Sequence, residues 1–472
     1  MAKTSAQPYK GTRDFLPIDV RRRTFVTSKI RAVYESHGFA PLETPALERL
    51  DTLMGKYGEE GDQLLFKVLL RGQPLVEGIR EASAHISDAS NLNESRSGIT
   101  APRAEPMLAD VGLRYDLTVP LARVYAAYQG KLPAVFKRYQ IQPVWRADTP
   151  GKGRFREFYQ CDVDVCGSSS LLVEADVLAA AAECLVALGF ENFELRINHR
   201  ALLRALVEQS GIDVANEANA ITAVDKLDKV GADGVIRELE ARGVAAAATQ
   251  RLLTLLSDEN GVVGKVSLDR IAEAMTSHDA GSRAVAELRE VLRLSQLTAA
   301  GKHLRFDLSL ARGLGYYTGC IFEIAVPDLG SSLGGGGRYD GLIGMFLGRE
   351  VPACGLSLGL ERILVVMEER NMYPEALGGP DALLAGVGAS DLDAAFMLAQ
   401  RVRELGINVD LVPHAIGGNK VGKLRSQAET DGVPAAIWIE QGNASVWLRA
   451  GGQTLREQSA EQIAAAIRGS SS

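Results

Sequence analysis

The sequence predicts an antiparallel α+β domain carrying a helical insertion, followed by a separate small α/β domain. Three observations lead there. Two segments rich in β-branched and aromatic residues, "VFKRYQIQPVWRAD" and "REFYQCDVDVCG", are joined by the turn chemistry of "TPGKGRF" and so make a long hairpin with a basic tip. Residues 200–300 are dominated by Ala, Leu, Glu and Arg with few strand signals. Beyond the linker-like "PEALGGPD" at 374–381, strands begin to alternate with helices.

Taken in order, residues 21–37, "RRRTFVTSKIRAVYESH", have helical spacing and run into Gly38, and the proline-interrupted "FAPLETPAL" is extended. Residues 71–112 are poor in periodicity and rich in Ser, Asn, Gly and Pro, and read as a long irregular excursion. "LRYDLTVPLARVYAAY" starts like a strand and continues as a helix. After the hairpin come an Ala/Leu-rich helix at 170–189 and the strand "NFELRIN". Past the insertion, "LRFDLSLARGLGYYTGCIFEIAV", "SSLGGGGRYDGLIGMF" and "VPACGLSLGLERILVVMEER" complete a first domain at 1–373, the last as a strand entering an apolar helix. The second domain, 381–472, places "ALLAGVG", "INVDLV", "AAIWIE" and "ASVWLRA" on strands.

Composition is that of a soluble globular protein, with 46% hydrophobic and 24% charged residues among 472. The opening "MAKTSAQPYK" lacks an apolar signal core, and no run approaches the roughly 20 apolar residues a membrane span needs. Cys161, Cys166, Cys184, Cys320 and Cys354 are scattered without a CxxC, which argues against a disulfide framework or structural zinc and for a reducing cytoplasm. A net charge of −7 excludes a general basic coat for nucleic acid but leaves room for a local basic surface.

The chemistry concentrates in a few segments. On a strand of period 2, Gln160, Asp162 and Asp164 share one face, where two carboxylates and an amide suit a cationic ligand such as an α-ammonium. Arg146, Arg154 and Arg156 around the hairpin tip suit phosphates, because a guanidinium binds oxygen pairs bidentately. An edge hairpin decorated with salt bridges and a solvated basic loop are the alternatives. Gly334–Gly337 are either bare backbone that a flat ligand approaches or a linker turn; no P-loop pattern follows them. "ARGLGYYTG" at 311–319 is either a tight turn with a surface arginine or a backbone that a ligand nears, with the glycines bending the strand to bring Tyr316 and Tyr317 to one side. The six histidines are isolated and no nucleophile–base set or metal-ligand set appears, so catalysis by positioning and charge fits better.

Together these segments resemble the class II aminoacyl-tRNA synthetases, and among them the histidyl-tRNA synthetase family. "KGTRDFLP" is similar to that family's N-terminal signature, "GFAPLETPALE" to the first class II motif, "VWRADTPGKGRFREFYQCDVDV" to the second and "GLSLGLERI" to the third. "RYDLTVPLAR" and "ARGLGYYTG" resemble its histidine boxes. The resemblance implies a six- or seven-stranded antiparallel sheet flanked by helices, a homodimer, and a C-terminal anticodon-binding domain. It implies activation of L-histidine by ATP, with Mg²⁺ on the outer phosphates rather than on a dedicated protein metal cluster, and transfer to the 3′ end of tRNA(His). No membrane partner is expected.

By the same resemblance, Asp116, Thr118 and Gln160 hold the α-ammonium, while Asp164 and Tyr317 read the imidazole beside Tyr316. Arg146 grips the α-phosphate region, Arg154 and Arg362 the outer phosphates, and Phe158 stacks on adenine near Asp148. Arg312 offsets the charge that develops on the α-phosphate. This chain departs from the family at Gly315, where an acid is usual, and at Asp164 and Asp148, where glutamate is commoner. The alternative is a histidine-sensing regulatory subunit of ATP phosphoribosyltransferase. Such paralogues tend to lose the motif arginines and the last domain, both of which are present here.

Overall fold

The computed structural model describes residues 5–88, 107–264, 266–311, 315–327, 329, 332–374, 377–456 and 458–470. Their contacts divide into two compact units, Met1–Phe15 with Arg23–Met372, and Leu16–Arg22 with Tyr373–Ser472.

In the first unit the strands are β1 (Ala40–Pro41), β2 (Leu47–Arg49), β3 (Lys67–Leu69), β4 (Ala109–Leu113), β5 (Phe136–Trp145), β6 (Glu157–Cys166), β7 (Glu194–His199), β8 (Leu304–Phe306), β9 (Cys320–Ala325), β10 (Gly334–Arg338) and β11 (Ala353–Gly359). Eight of them form one sheet in the order β1-β5-β6-β11-β10-β9-β7-β8, and β2, β4 and β3 form a small second sheet. The six central strands of the large sheet are antiparallel, as the hairpin pattern predicts. The additional edges are β1 and β8, each paired in parallel and only two and three residues long. Segments that short carry no periodicity to read.

The hairpin β5–β6 pairs from Phe136↔Cys166 to Trp145↔Glu157. One face of β6 buries Cys161, Val163 and Val165. On that side Tyr34, from the helix Pro17–Ser36, donates its hydroxyl to the Cys161 carbonyl at 3.0 Å. The helix Leu172–Ala187 is Ala/Leu-rich and mostly buried, with Asp176 and Glu183 on a partly exposed side. Between β7 and β8 the helical insertion runs through Arg200–Gln209, Glu217–Val224, Leu227–Ala241, Ala246–Leu255, Leu268–Ala274 and Asp279–Ser295.

Two local readings need correction. The excursion at 71–112 is not irregular throughout, since Gln73–Asp88 is helical and its end contributes β4; residues 89–106 lie outside the described residues. Pro74 near the start of that helix costs no hydrogen bond there, and the Ser- and Asn-rich stretch beyond it masks the apolar spacing of Leu75, Val76, Ile79 and Ala82. Gly334–Gly337 are no linker turn but the middle strand β10, hydrogen-bonded on both sides. A Cβ on Gly336 would sit 2.0 Å from the Gly355 carbonyl oxygen and one on Gly337 2.5 Å from that of Cys320, so glycine is what lets three strands approach this closely.

At the end of the helix Pro17–Ser36, His37 lies between two acids of the helix Leu172–Ala187. Its Nδ1 is 2.8 Å from Asp176 and its Nε2 3.1 Å from Glu183, while Lys137 Nζ reaches Asp176 at 2.7 Å. Both ring nitrogens face carboxylates, so both carry hydrogen. Burial by itself lowers the His37 pKa, but the two acids outweigh it and raise it above 6.5.

The second unit is a five-stranded sheet of β12 (Ala382–Val387), β13 (Val409–Leu411), β14 (Ala435–Glu440), β15 (Asn443–Leu448) and β16 (Gln453–Leu455), ordered β13-β12-β14-β15-β16. Leu384, Ile437 and Val446 pack on one face beneath the helices Leu392–Glu404 and Ala460–Ser470; Leu383, Trp438 and Trp447 pack on the other against Val421–Thr430. This is the α/β pattern read from the sequence.

Two outcomes follow from the packing. Gly336→Ala destabilises the chain by about 1–3 kcal/mol through overpacking, whereas Gly315→Ala, with nothing within 4 Å of the added Cβ, leaves the denaturation midpoint in place; urea unfolding of both variants checks this. His37 stabilises the fold fully at pH below its unfolded value and loses that contribution as pH rises through its higher folded value. The melting temperature of wild type therefore exceeds that of His37→Gln more at about pH 6 than at about pH 9.

Candidate active site

A cleft of ≈ 400 Å³ opens on the other face of the hairpin, the face of Gln160, Asp162 and Asp164. Strand register sets the surroundings of each. Asp164 lies between Arg138 of β5 and Gly355 of β11, Asp162 between Gln140 and Ser357, and Gln160 between Gln142 and Gly359. Arg138 is 0% exposed, with Nη2 at 2.7 Å from Asp164 and 3.8 Å from Asp162. Tyr339 donates its hydroxyl to Asp164 Oδ1, and Gly355 leaves the room this carboxylate occupies, because a Cβ there would meet Oδ1 at 1.9 Å. Gln160 donates to Ser357 Oγ at 2.8 Å. Among the described residues, Gln160 Oε1 and Asp162 Oδ1 are buried acceptors with no hydrogen-bond partner. Burial raises both acids, Asp162 to about 7, with Arg138 pulling the other way.

Asp116 precedes the helix Thr118–Tyr128, and its Oδ1 accepts the Val119 N–H at 3.0 Å and the Tyr57 hydroxyl at 3.1 Å. Its Oδ2 accepts from Tyr316 at 3.3 Å. Burial raises this carboxyl too, against the Val119 N–H and the Arg146 charge. Tyr316 and Tyr317 stand in the loop before β9 with ring centres 5.1 Å apart, and both line the cleft. No strand has to bend, because the pair precedes the strand. Gly337 makes room for Tyr317, whose ring would be 2.9 Å from a Cβ there.

Cations line the cleft as well. Arg146 donates Nε to the Tyr115 carbonyl at 3.0 Å, and its guanidinium lies 4.2 Å from the Tyr115 ring centre and 5.2 Å from that of Phe158. Asp148, Arg154 and Arg362 also line it, Arg362 donating to the Ser332 carbonyl. Arg312 lies outside the described residues. Arg156 instead donates to the Asp148 carbonyl at 3.1 Å and to Tyr9 at 3.0 Å, and its N–H binds the Gly11 carbonyl at 2.7 Å. Gly11, at φ 88°, would put a Cβ 2.8 Å from Arg156, so "KGTRDF" seals the hairpin tip. The basic run is thus neither a uniform solvated loop nor a uniform patch. Arg138 is buried, Lys137 and Arg156 brace the scaffold, and Arg146 and Arg154 face the cleft.

Sequence reasoning missed Tyr57, Tyr339 and Arg138. The only signal was for Arg138, which alternates with Gln140 and Gln142 as a polar face on β5. Glu361, at the start of the helix Leu360–Glu369, accepts the Tyr159 N–H at 2.9 Å and anchors the strand that bears Phe158. Burial pushes its carboxyl up to about 7, although the Tyr159 N–H favours the anion.

The sequence model of the family described as histidyl-tRNA synthetase matches residues 11–75 and 106–363. A histidine–tRNA ligase of Porphyromonas gingivalis is 40% identical over 428 residues, 90% of each chain, and one of Flavobacterium johnsoniae is 38% identical over 91% of each. The crystal structure of histidyl-tRNA synthetase from Nostoc sp. PCC 7120 superposes with a TM-score of 0.76 over 99% of both chains at 26% identity. A Bacillus halodurans structure titled as an ATP phosphoribosyltransferase regulatory subunit/histidyl-tRNA synthetase shares the fold at 23% identity, with a TM-score of 0.65 over 91% of this chain and 97% of that one.

Glu361 gives a pH signature. Its carboxyl releases its proton near 7 in the folded chain but near 4.5 in the unfolded one, so stability falls as pH rises between those values. Glu361→Gln removes that fall. Its melting temperature relative to wild type rises from about pH 5 to about pH 8, as differential scanning fluorimetry across that range would record.

Proposed function

The chain belongs to the histidyl-tRNA synthetase family, and we propose that the cleft on its eight-stranded sheet is where L-histidine and ATP form histidyl-adenylate. The activity is that of a histidine–tRNA ligase, an aminoacyl-tRNA synthetase using ATP. In the proposed site the carboxylate oxygen of histidine attacks the α-phosphorus, diphosphate leaves, and the 3′-terminal ribose hydroxyl of tRNA(His) then displaces AMP from the acyl carbon.

Asp116, Thr118 and Gln160 take the α-ammonium, and Asp164 with Tyr317 faces the imidazole beside Tyr316. Arg146 holds the α-phosphate and the carboxylate next to it, Arg154 and Arg362 the outer phosphates, and Phe158 the adenine near Asp148. ATP enters as its Mg²⁺ complex. Arg312 meets the negative charge that builds on the α-phosphate, and a preplaced donor of this kind contributes roughly 3–4 kcal/mol to the barrier. The domain at 381–472 binds the anticodon, the chain works as a homodimer, and it acts in the cytoplasm. One observation carries the site assignment. A single cleft is lined both by buried acids with open acceptors and by Arg146, Arg154 and Arg362, the combination needed to hold an ammonium while a carboxylate meets a nucleotide phosphate.

Amino-acid-dependent ATP–diphosphate exchange, run with each amino acid in turn, tests the reading. Exchange is expected with L-histidine alone; tight histidine binding without exchange would instead point to a histidine-sensing regulator. Arg312→Ala is expected to abolish exchange while histidine binding survives, and exchange near the wild-type rate would remove Arg312 from the chemistry.

A further inference from the structure

We propose that Asp162 is a further substrate-contacting residue, its open Oδ1 and the neighbouring Gln160 Oε1 together receiving N–H donors of the substrate α-ammonium. The proposal rests on the histidine-activating reading of this cleft and adds a residue to it.

The argument is an accounting of acceptors. Asp164 has one oxygen on the Tyr339 hydroxyl and the other against Arg138. Asp116 accepts from Tyr57 and Val119 on one oxygen and from Tyr316 on the other. Asp116 thus meets a ligand with both oxygens already accepting, and Asp164 Oδ2, though it has no hydrogen bond among the described residues, is ion-paired with Arg138. Glu361 Oε1 is a further open oxygen, on the helix after β11. Asp162 is 2% exposed and Gln160 9%; both line the cleft, and each has one buried oxygen with no partner among the described residues. They sit two positions apart on one face of β6, so the two open oxygens are neighbours. A primary ammonium has three donors and no acceptor, so it is able to satisfy both at once.

Charge gives the same answer. The groups facing Asp162 are Arg138 and Gln140 from β5, Asp164 and Gln160 on its own strand, Ser357 from β11, and Asp116 from the segment before the helix Thr118–Tyr128. Arg138 is the one cation among them, and it lies closer to Asp164 than to Asp162. Arg114, also buried, acts on Asp162 but spends its hydrogen bonds on Thr44, Pro45, Gln142 and Pro143, so a substrate ammonium would be the cation that meets the open Oδ1 directly. Burial keeps the Asp162 carboxyl hard to ionise in its absence.

The test compares ligands with and without the ammonium in wild type and Asp162→Asn, with Asp162→Ser as a second variant should the first not fold. Calorimetry or competition in the exchange assay is run with L-histidine, with histamine, which keeps the ammonium, and with imidazolepropionate, which lacks it. Asp162→Asn should weaken L-histidine and histamine roughly 10- to 100-fold, while imidazolepropionate and the KM for ATP stay at wild-type values. An equal loss for all three ligands would make Asp162 a support of the floor and overturn the contact, as would unchanged histidine affinity. If wild type activated a different amino acid, the functional reading would fall. The same comparison, made with that amino acid and its deaminated analogue, would still judge Asp162.

Discussion

The site depends on one buried guanidinium. Arg138 has no solvent exposure, and it stands where β5 faces the two acids of β6. Removing one partner from a buried pair of this kind costs about 3–5 kcal/mol, because a charge is left without compensation. Arg138 therefore holds Asp164 in the floor of the cleft. It is also one cation shared between two carboxylates, 2.7 Å from Asp164 and 3.8 Å from Asp162. Tyr57, Tyr316 and Tyr339 press the same logic outward. Each spends its hydroxyl on Asp116 or Asp164 and closes the acids off from water with its ring.

A second constraint is the closeness of the strands. β10 can run between β9 and β11 because its four glycines have no Cβ to meet the neighbouring carbonyls. The same absence clears the floor of the cleft above Gly334–Gly336 and the space taken by the Tyr317 ring. Gly355 does this for Asp164. The glycines weaken local strand preference, and pairing on both sides supplies the order they lack. Asp164 fits in the space left by Gly355, against Arg138 and the Tyr339 hydroxyl.

What the sequence made legible has a physical pattern. The hairpin, the shared face of Gln160, Asp162 and Asp164, and the alternation of the second unit are local, and period 2 or turn chemistry reports them directly. The long helices of the insertion announce themselves through composition. The helix Gln73–Asp88 did not, because the Ser- and Asn-rich residues after it dominate the window. Strands β1 and β8 are too short to have a period and exist because longer neighbours offer a paired edge. Tyr57 and Tyr339 enter the site from 59 and 175 residues away from the acids they bind. Nothing near Tyr57 in the chain marks that destination, and for Tyr339 the glycine run just before it marks only a possible approach of a ligand, not the acid the tyrosine binds. The glycine run was ambiguous for a different reason, since bare backbone suits a turn and a crowded sheet equally, and strand register alone decides between them.

In the proposed reading, the open acceptors Asp162 Oδ1 and Gln160 Oε1 receive the ammonium of the amino acid, and Arg146, held against Tyr115 by a hydrogen bond and by the ring, meets its carboxylate. An anionic nucleophile and an anionic phosphate repel each other in water, and in that reading guanidinium groups that need not reorganise as charge shifts would bring them together. The N-terminal segment contributes from outside the pocket. By tying Arg156 to Gly11 and Tyr9, it takes one cation of the hairpin tip out of competition for phosphate and stiffens the turn that carries Arg154. Which arginines serve the nucleotide and which serve the scaffold is thus decided by hydrogen bonds made far from the reacting atoms.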